Sequence, residues 1–128
     1  MFNKALKEQL SQAENAIKKY EQIFSSLKSE MLHLVLTPKG EVEEANALFE
    51  RETGLVVSDY KGRRLPDLVP AVARTTNHYK QMADAIEKHK HWEGAFELGY
   101  KGDVQWLRII VQPVRDTNGR CETIDVFG

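Results

Sequence analysis

Residues 1–31 carry apolar side chains in a repeat that predicts one long amphipathic helix. Successive apolar positions are separated alternately by four and three residues, which is the a/d pattern of a coiled-coil heptad held for nearly four repeats. No glycine or proline interrupts the segment. The apolar stripe consists of Leu6, Leu10, Ala13, Ile17, Tyr20, Phe24, Leu27 and Met31.

The length of this helix predicts that part of its stripe contacts a second chain. A helix of about 30 residues is about 45 Å long, which is more than the rest of the chain can cover as a compact domain. We therefore expect a homodimer through this helix, as a parallel coiled coil or another helical contact. The alternative is a helix packed entirely on its own domain. Ala13 and Tyr20 are imperfect core residues, so the predicted dimer is loose.

After Met31 the period of the pattern shortens. Alternation predicts strands at 32–37 and 41–45, joined by a turn at Pro38-Lys39-Gly40. Asn46 is expected to cap a short helix, which Gly54 ends. Residues 55–76 contain Gly62, Pro66 and Pro70, and they have room for single helical turns only.

The remaining residues predict one longer helix and three strands. The helix spans 77–88, with Asn77 as its expected cap and Tyr79, Met82, Ala83 and Ile86 on one face. The strands span 91–100, 104–114 and 120–127. They are joined by turns at Lys101-Gly102-Asp103 and Asp116-Thr117-Asn118-Gly119. Five strands with the helices between them predict an α+β fold with an antiparallel sheet.

Composition narrows the function classes. The chain has 128 residues, of which 41% are apolar and 29% charged, and its net charge is −1. These values argue against a disordered, collagen-like or membrane-spanning chain, and they predict no contact with nucleic acid or a membrane. The single cysteine, Cys121, excludes an internal disulfide framework. With no signal peptide in the sequence, we expect a cytoplasmic protein.

Four segments in order resemble a PAS domain. The run from Leu36 to Phe49 resembles its opening hairpin and first helix, and Tyr60-Lys61-Gly62-Arg63 resembles the turn that follows. Trp92-Glu93-Gly94 resembles its third strand, and the run from Trp106 to Gly119 its fourth strand and closing turn. The resemblance covers 32–128 and is strongest to the cytoplasmic PAS modules of bacterial methyl-accepting chemotaxis receptors.

This resemblance implies a fold and a function. The fold is a five-stranded antiparallel sheet with short helices on one face (32–128), preceded by the long helix (1–31). The implied function is sensory: a homodimer senses a small ligand or a cofactor state and relays it to an output domain. The family often continues with Asp-x-Thr after its last strand, so we expect that output domain to lie outside this chain. The alternative is a ligand-free dimerisation and relay module.

The resemblance also implies a pocket between the sheet and the middle helices. In the family, the strand face that carries the residue aligned with Thr37 looks into the pocket, so His33 and Val35 are expected beside it. The other face, with Leu32, Leu34 and Leu36, is expected to need cover from the N-terminal helix. The candidate pocket residues are His33, Val35, Asn46, Phe49, Leu68, Tyr79, Met82, Ile86, Leu107 and Ile109.

The cofactor is left open, with none as the first expectation. His78 is eligible as a haem axial ligand because it begins the longer helix. Trp92, Trp106 and Asn46 are available to a noncovalent FAD. A photoreactive flavin module requires a cysteine where this chain has Leu65, so blue-light chemistry is not expected.

Catalysis and metal binding are not expected either. His89 and His91 are two residues apart, but no third ligand has a regular spacing to them, so no metal site is predicted. The sequence has no nucleophile with a nearby base, no phosphate loop and no HExxH motif. We therefore do not expect an enzyme.

Overall fold

The computed structural model describes residues 2–99 and 104–128, and only the backbone at residue 2. The predicted turn at Lys101-Gly102-Asp103 and the predicted strand end at Tyr100 lie outside the described residues. The chain divides into two compact units, Met1–Glu30 and Met31–Gly128.

The first unit is one helix, α1 (Phe2–Glu30), of 29 residues. All side chains of residues 3–30 are exposed, and Leu10 and Ile17 in the apolar stripe are each 56% exposed. Met31 lies just beyond the helix and belongs to the second unit, because its carbonyl accepts a hydrogen bond from the Asn46 side chain. The stripe on α1 therefore ends at Leu27.

The second unit is built on an antiparallel sheet of five strands, as predicted. Its spatial order is β2-β1-β5-β4-β3, so the first and last strands are neighbours within the sheet. The strands are β1 (His33–Leu36), β2 (Val42–Ala45), β3 (Trp92–Leu98), β4 (Gln105–Arg115) and β5 (Cys121–Phe127).

Short helices connect β2 to β3. They are α2 (Ala47–Thr53), α3 (Val57–Tyr60), two 3-10 turns (Leu65–Leu68 and Ala71–Ala73) and α4 (Asn77–Lys88). Asn46 caps α2 and Gly54 ends it with φ +74°, both as predicted. The cap of α4 is Thr76 rather than Asn77, because the Thr76 hydroxyl accepts a hydrogen bond from the backbone N–H of Tyr79.

One face of the sheet packs against the helices. Alternate residues of β4 and β5 point inward, and Val111 and Ile124 are fully buried there. On β1 the inward residues are Leu34 and Leu36, which belong to the same core as Met82 and Ile86. The expected orientation of β1 was therefore wrong: its leucine face points to the middle helices and does not await cover from α1.

Two features of the turn between β1 and β2 require glycine at position 40. Its φ of +84° is a left-handed conformation that side chains disfavour. A Cβ atom at this position would also lie 2.6 Å from the Cγ2 atom of Ile86. The absence of a side chain thus lets the turn approach α4 closely.

We expect Gly40→Ala to destabilise the protein by about 2–4 kcal/mol, from backbone strain together with the clash on Ile86. Gly119→Ala is the matched control. Gly119 has φ +81° but open space around its Cα, so strain alone should cost about 1 kcal/mol. Urea unfolding followed by tryptophan fluorescence gives both values. Equal losses would contradict the role of the close approach.

Candidate functional site

A small apolar cavity lies between the sheet and the helices of the second unit. Its volume is about 10 Å³, which is room for roughly one water molecule. No polar side chain lines it. The lining residues are Leu32, Leu34, Phe49, Leu65, Phe96, Leu107, Ile109, Val126 and Gly128.

Seven of the ten pocket candidates lie on the helix side of the sheet or in the core next to it. Phe49, Leu107 and Ile109 line the cavity itself. The other four fill the space around it instead of leaving it open: Leu68, Met82 and Ile86 are buried in the core, and Tyr79 packs against it.

The other three candidates do not line the cavity. His33 and Val35 lie on the opposite face of β1, because Leu34 and Leu36 take the inward positions and successive side chains alternate. Asn46 is occupied as a cap. Its Oδ1 accepts hydrogen bonds from the backbone N–H groups of Phe49 and His33, and its Nδ2 donates to the carbonyl of Met31.

His33 forms a buried polar pair on the outer face of the sheet. Its Nε2 is 3.1 Å from Oδ2 of Asp125, and the two side chains are only 7% and 12% exposed. The Thr123 hydroxyl donates to Oδ1 of the same carboxylate, and the imidazole stacks on Phe127 at 4.7 Å. Sequence reasoning missed this pair, because His33 and Asp125 are 92 residues apart and only the register of β1 on β5 brings them together.

The two ends of the second unit meet beside the cavity. The backbone N–H of Leu32 donates to the carbonyl of Gly128 at 3.0 Å, and the reverse bond is 2.9 Å. Both residues also line the cavity. The point where the chain leaves α1 and the end of β5 are therefore joined to each other and to the core packing.

The residues present do not fit haem. Nε2 of His78 is 3.1 Å from Oε1 of Glu97 on β3 and 3.3 Å from the Thr76 hydroxyl. The ring also contacts Trp106, with 6.0 Å between ring centroids, and His78 does not line the cavity. An axial ligand would need space for the porphyrin beside it, and the cavity of about 10 Å³ does not provide that space.

The core does not fit a flavin either. A bound cofactor of that size needs a cavity of several hundred Å³ and some polar contacts, and the cavity offers neither. Leu65, which the resemblance places where a photoreactive flavin module has its cysteine, is an apolar lining residue. Cys121 lies on β5, where burial raises the pKa of its thiol and the Arg115 charge only partly opposes the shift.

The two tryptophans that the sequence made available to FAD do not lie together. Trp92 packs against the core, whereas Trp106 is 63% exposed on the other face of the sheet. Within residues 2–99 and 104–128, no three His, Cys, Asp or Glu side chains are grouped as metal ligands would be. In the same part of the chain, no helix combines the length and apolar character needed to cross a bilayer.

Tyr60, which the sequence analysis placed in a turn motif, is a buried residue whose burial was not predicted. It is fully buried in the core, with its ring 6.2 Å from that of Phe49. Burial raises the pKa of its phenol well above the usual value, and the charges of Glu50 and Asp59 add to this shift. A tyrosine at the end of a short, half-polar helix (Val57–Tyr60) carries no signal in the sequence that separates a buried phenol from an exposed one.

A comparison of the sequence with models of protein families agrees with this sheet order and helix placement. The model of the family described as PAS fold matches residues 28–128. This chain belongs to the PAS fold family. No curated protein matches the chain significantly in sequence. The PAS assignment therefore rests on the family match and on the fold.

Solved structures similar to this PAS chain include an RNA-binding Light-Oxygen-Voltage receptor, at 19% identity and a TM-score of 0.65. The match covers 88% of this chain and 33% of that receptor, so the chain spans about a third of its length. A variant of Vivid matches at 20% identity and a TM-score of 0.62, over 77% of this chain and 80% of Vivid. A fungal LOV-domain photoreceptor matches at 17% identity and a TM-score of 0.62, over 76% and 72%. These similarities show the fold.

We expect Asp125→Ala to destabilise the PAS unit by roughly 1–3 kcal/mol, because the buried His33 ring and the Thr123 hydroxyl lose their acceptor. A double-mutant cycle with His33→Ala, measured by urea unfolding, should give an interaction energy of about 1 kcal/mol. Glu122→Ala, at an exposed position of the same strand, is the control and should stay within about 0.5 kcal/mol. Strictly additive losses would show that the pair does not hold the two strands together.

Proposed function

We propose that this chain is a cytoplasmic PAS module that relays signals in a homodimeric bacterial protein of the chemotaxis-receptor type. Its role would be non-catalytic. The observation that carries the proposal is the double hydrogen bond between Leu32 and Gly128. It joins Leu32, two residues after the end of α1, to Gly128, which follows β5, at the edge of the core cavity.

This arrangement suits a relay because the segment after α1 and the segment after β5 both depend on how the same core side chains pack. Leu32 lies just after α1, and Gly128 lies just after β5. A shift of Phe49 or Leu107 in the core changes the cavity wall that both residues share. Packed interiors transmit such shifts because they rearrange between discrete states instead of deforming smoothly. The output domain that receives the shift is part of the proposal.

The filled core favours relay without a bound ligand over ligand sensing. Leu68, Met82 and Ile86 occupy the space that a ligand would need. The remaining cavity is more than tenfold below the several hundred Å³ of ordinary ligand sites. The state of a neighbouring domain, passed through α1, would then be the input.

Ligand sensing is the second candidate, and the apolar lining of the cavity supports it. A small apolar molecule that displaces Phe49 or Leu107 would enlarge this space. Two of the similar structures are named as LOV receptors or photoreceptors. Light sensing is not part of the proposal, because a photoreactive flavin module requires a cysteine thiol where this chain has Leu65.

The purified chain should be colourless and should retain neither hemin nor FAD after mixing and desalting, because the cavity has no room for them. Absorption spectra from 300 to 700 nm test this expectation. A retained Soret band that disappears in His78→Ala would instead identify a haem sensor. Retained flavin bands would identify a redox or light sensor, and either result would overturn relay without a ligand.

The proposed dimer depends on the apolar stripe of α1. Leu10→Lys combined with Ile17→Lys should convert the full chain to a monomer, because four cations would enter the paired stripe. Light scattering after size-exclusion chromatography measures the mass. Ser11→Lys with Gln22→Lys is the control, since it adds the same charge on the opposite face of α1. A chain that stays dimeric in both variants would contradict dimerisation through α1.

A further inference from the structure

We infer that a groove on the surface of the PAS unit binds a small zwitterionic molecule, whose cationic and anionic ends find separate partners there. The groove lies between the turn that joins β1 to β2 and the C-terminal end of α4. It is lined by Pro38, Lys39, Glu41, Arg64, Glu87 and His89. None of these residues lines the core cavity, so the inference goes beyond the proposed relay and does not depend on the dimer.

The size of the groove suits a small molecule. Its volume is about 440 Å³, whereas the volume of the core cavity is about 10 Å³. Sites for small ligands ordinarily have volumes of roughly 300–1,000 Å³. The groove is open to solvent, so a ligand reaches it without any displacement of core side chains. The surface of this PAS unit therefore offers the space that its core lacks.

The α4 wall of the groove is held in place by His89, the residue at which the helix ends. Its Nε2 lies 2.7 Å from the carbonyl oxygen of Pro38, and because a carbonyl only accepts, Nε2 carries the proton and donates. Nη2 of Arg115 donates to the backbone carbonyl of His89 at 2.8 Å. His89 has a left-handed φ of +54°, where glycine is usual at a helix end. Glycine would end α4 with less strain but would not bind Pro38, so the histidine fixes the distance between the two walls.

The opposite wall is built from hydrogen bonds around the turn between β1 and β2. Glu41 and Arg64 form an isolated antiparallel bridge, and Nε of Arg64 donates to the carbonyl of Lys39 at 3.2 Å. Gly40 in the same turn approaches Ile86 of α4 closely. The groove is therefore preformed, and its two walls meet at a residue that belongs to the core.

Four charged side chains line the groove, and their charges balance. Lys39 and Arg64 are cationic, whereas Glu41 and Glu87 are anionic. Glu87 lies in the last turn of α4, where the partial negative charge of the helix end adds to that of the carboxylate. Within residues 2–99 and 104–128, none of these four side chains forms an ion pair. Their charges are thus available to a ligand.

This balance of charges selects the class of ligand. A simple anion that bound Lys39 and Arg64 would also meet two carboxylates, and a simple cation would meet two like charges in the same way. A polyanion such as a nucleic acid is disfavoured for the same reason. A molecule with one ammonium and one carboxylate group has a charged hydrogen-bonding partner for each. An amino acid is the simplest compound with this pattern.

Amide NMR spectra of the isotope-labelled full chain test this inference. The probes are glycine, β-alanine, γ-aminobutyrate and ε-aminocaproate, in which the distance between ammonium and carboxylate increases stepwise. Acetate and methylammonium each carry only one of the two charges. We expect at least one of the amino acids to shift the amide signals of Lys39, Gly40 and His89 until saturation. Its dissociation constant should be at least about fivefold below that of either probe with a single charge.

Variants that remove one charge locate the site. Lys39→Gln and Glu87→Gln change exposed side chains, so the fold should be retained. Each should raise the dissociation constant of the amino acid about three- to tenfold, because one of the two ligand charges loses its partner. Arg51→Gln and Glu52→Gln are the matched controls, since they remove the same charges from exposed positions on α2 that do not line the groove. They should change the constant by less than about 1.5-fold.

The outcomes separate this inference from the proposed function. Saturable shifts at the groove that weaken in both groove variants and in neither control support it. The absence of saturation with all four amino acids would overturn it, as would equally tight binding of acetate or methylammonium, or equal losses in the controls. Shifts centred on Leu107 and Val126 would place the amino acid in the core and overturn both this inference and relay without a ligand. A monomeric chain that still binds at the groove would contradict only the proposed homodimer.

Discussion

The pairing of β1 with β5 is the contact on which the PAS unit depends. Four residue pairs, from His33 with Phe127 to Leu36 with Ile124, align the two strands, and the bonds between Leu32 and Gly128 extend the ladder. Because β1 lies between β2 and β5, losing this ladder would divide the sheet in two. Each face of the ladder contributes separately: the leucines complete the core on one side, and the His33–Asp125 pair lies on the other.

The sequence predicted nearly every element of this fold, and the strongest predictions came from local chemistry. The cap at Asn46, the end of α2 at Gly54 and the turn before Arg120 all depend on residues within four positions of each other. The orientation of β1 was not predictable in the same way. Alternation separates two faces, but both carry apolar side chains, and the choice depends on strands that follow much later in the chain.

The candidate site shows the same limit of prediction from local sequence patterns. Phe49, Leu107 and Ile109 were expected at the cavity and lie there, whereas the volume they leave depends on how every neighbouring side chain packs. A sequence identifies apolar positions, yet the difference between a filled and an open core is a matter of a few rotamers. His78 illustrates the point, since its position suited an axial ligand and its partner Glu97 comes from a distant strand.

The position of β1 in the sheet has a consequence for synthesis on the ribosome. β1 is the first strand of the sheet to be made and its partner β5 is the last of the five, and His33 and Asp125 are 92 positions apart in the sequence. At ordinary translation rates that interval is on the order of ten seconds. Until β5 emerges, the nascent chain has only the short β2 to pair with a leucine-rich strand. Throughout that interval, the nascent chain would therefore expose an apolar strand edge with unpaired backbone N–H and C=O groups. Chaperones and neighbouring nascent chains could bind this edge.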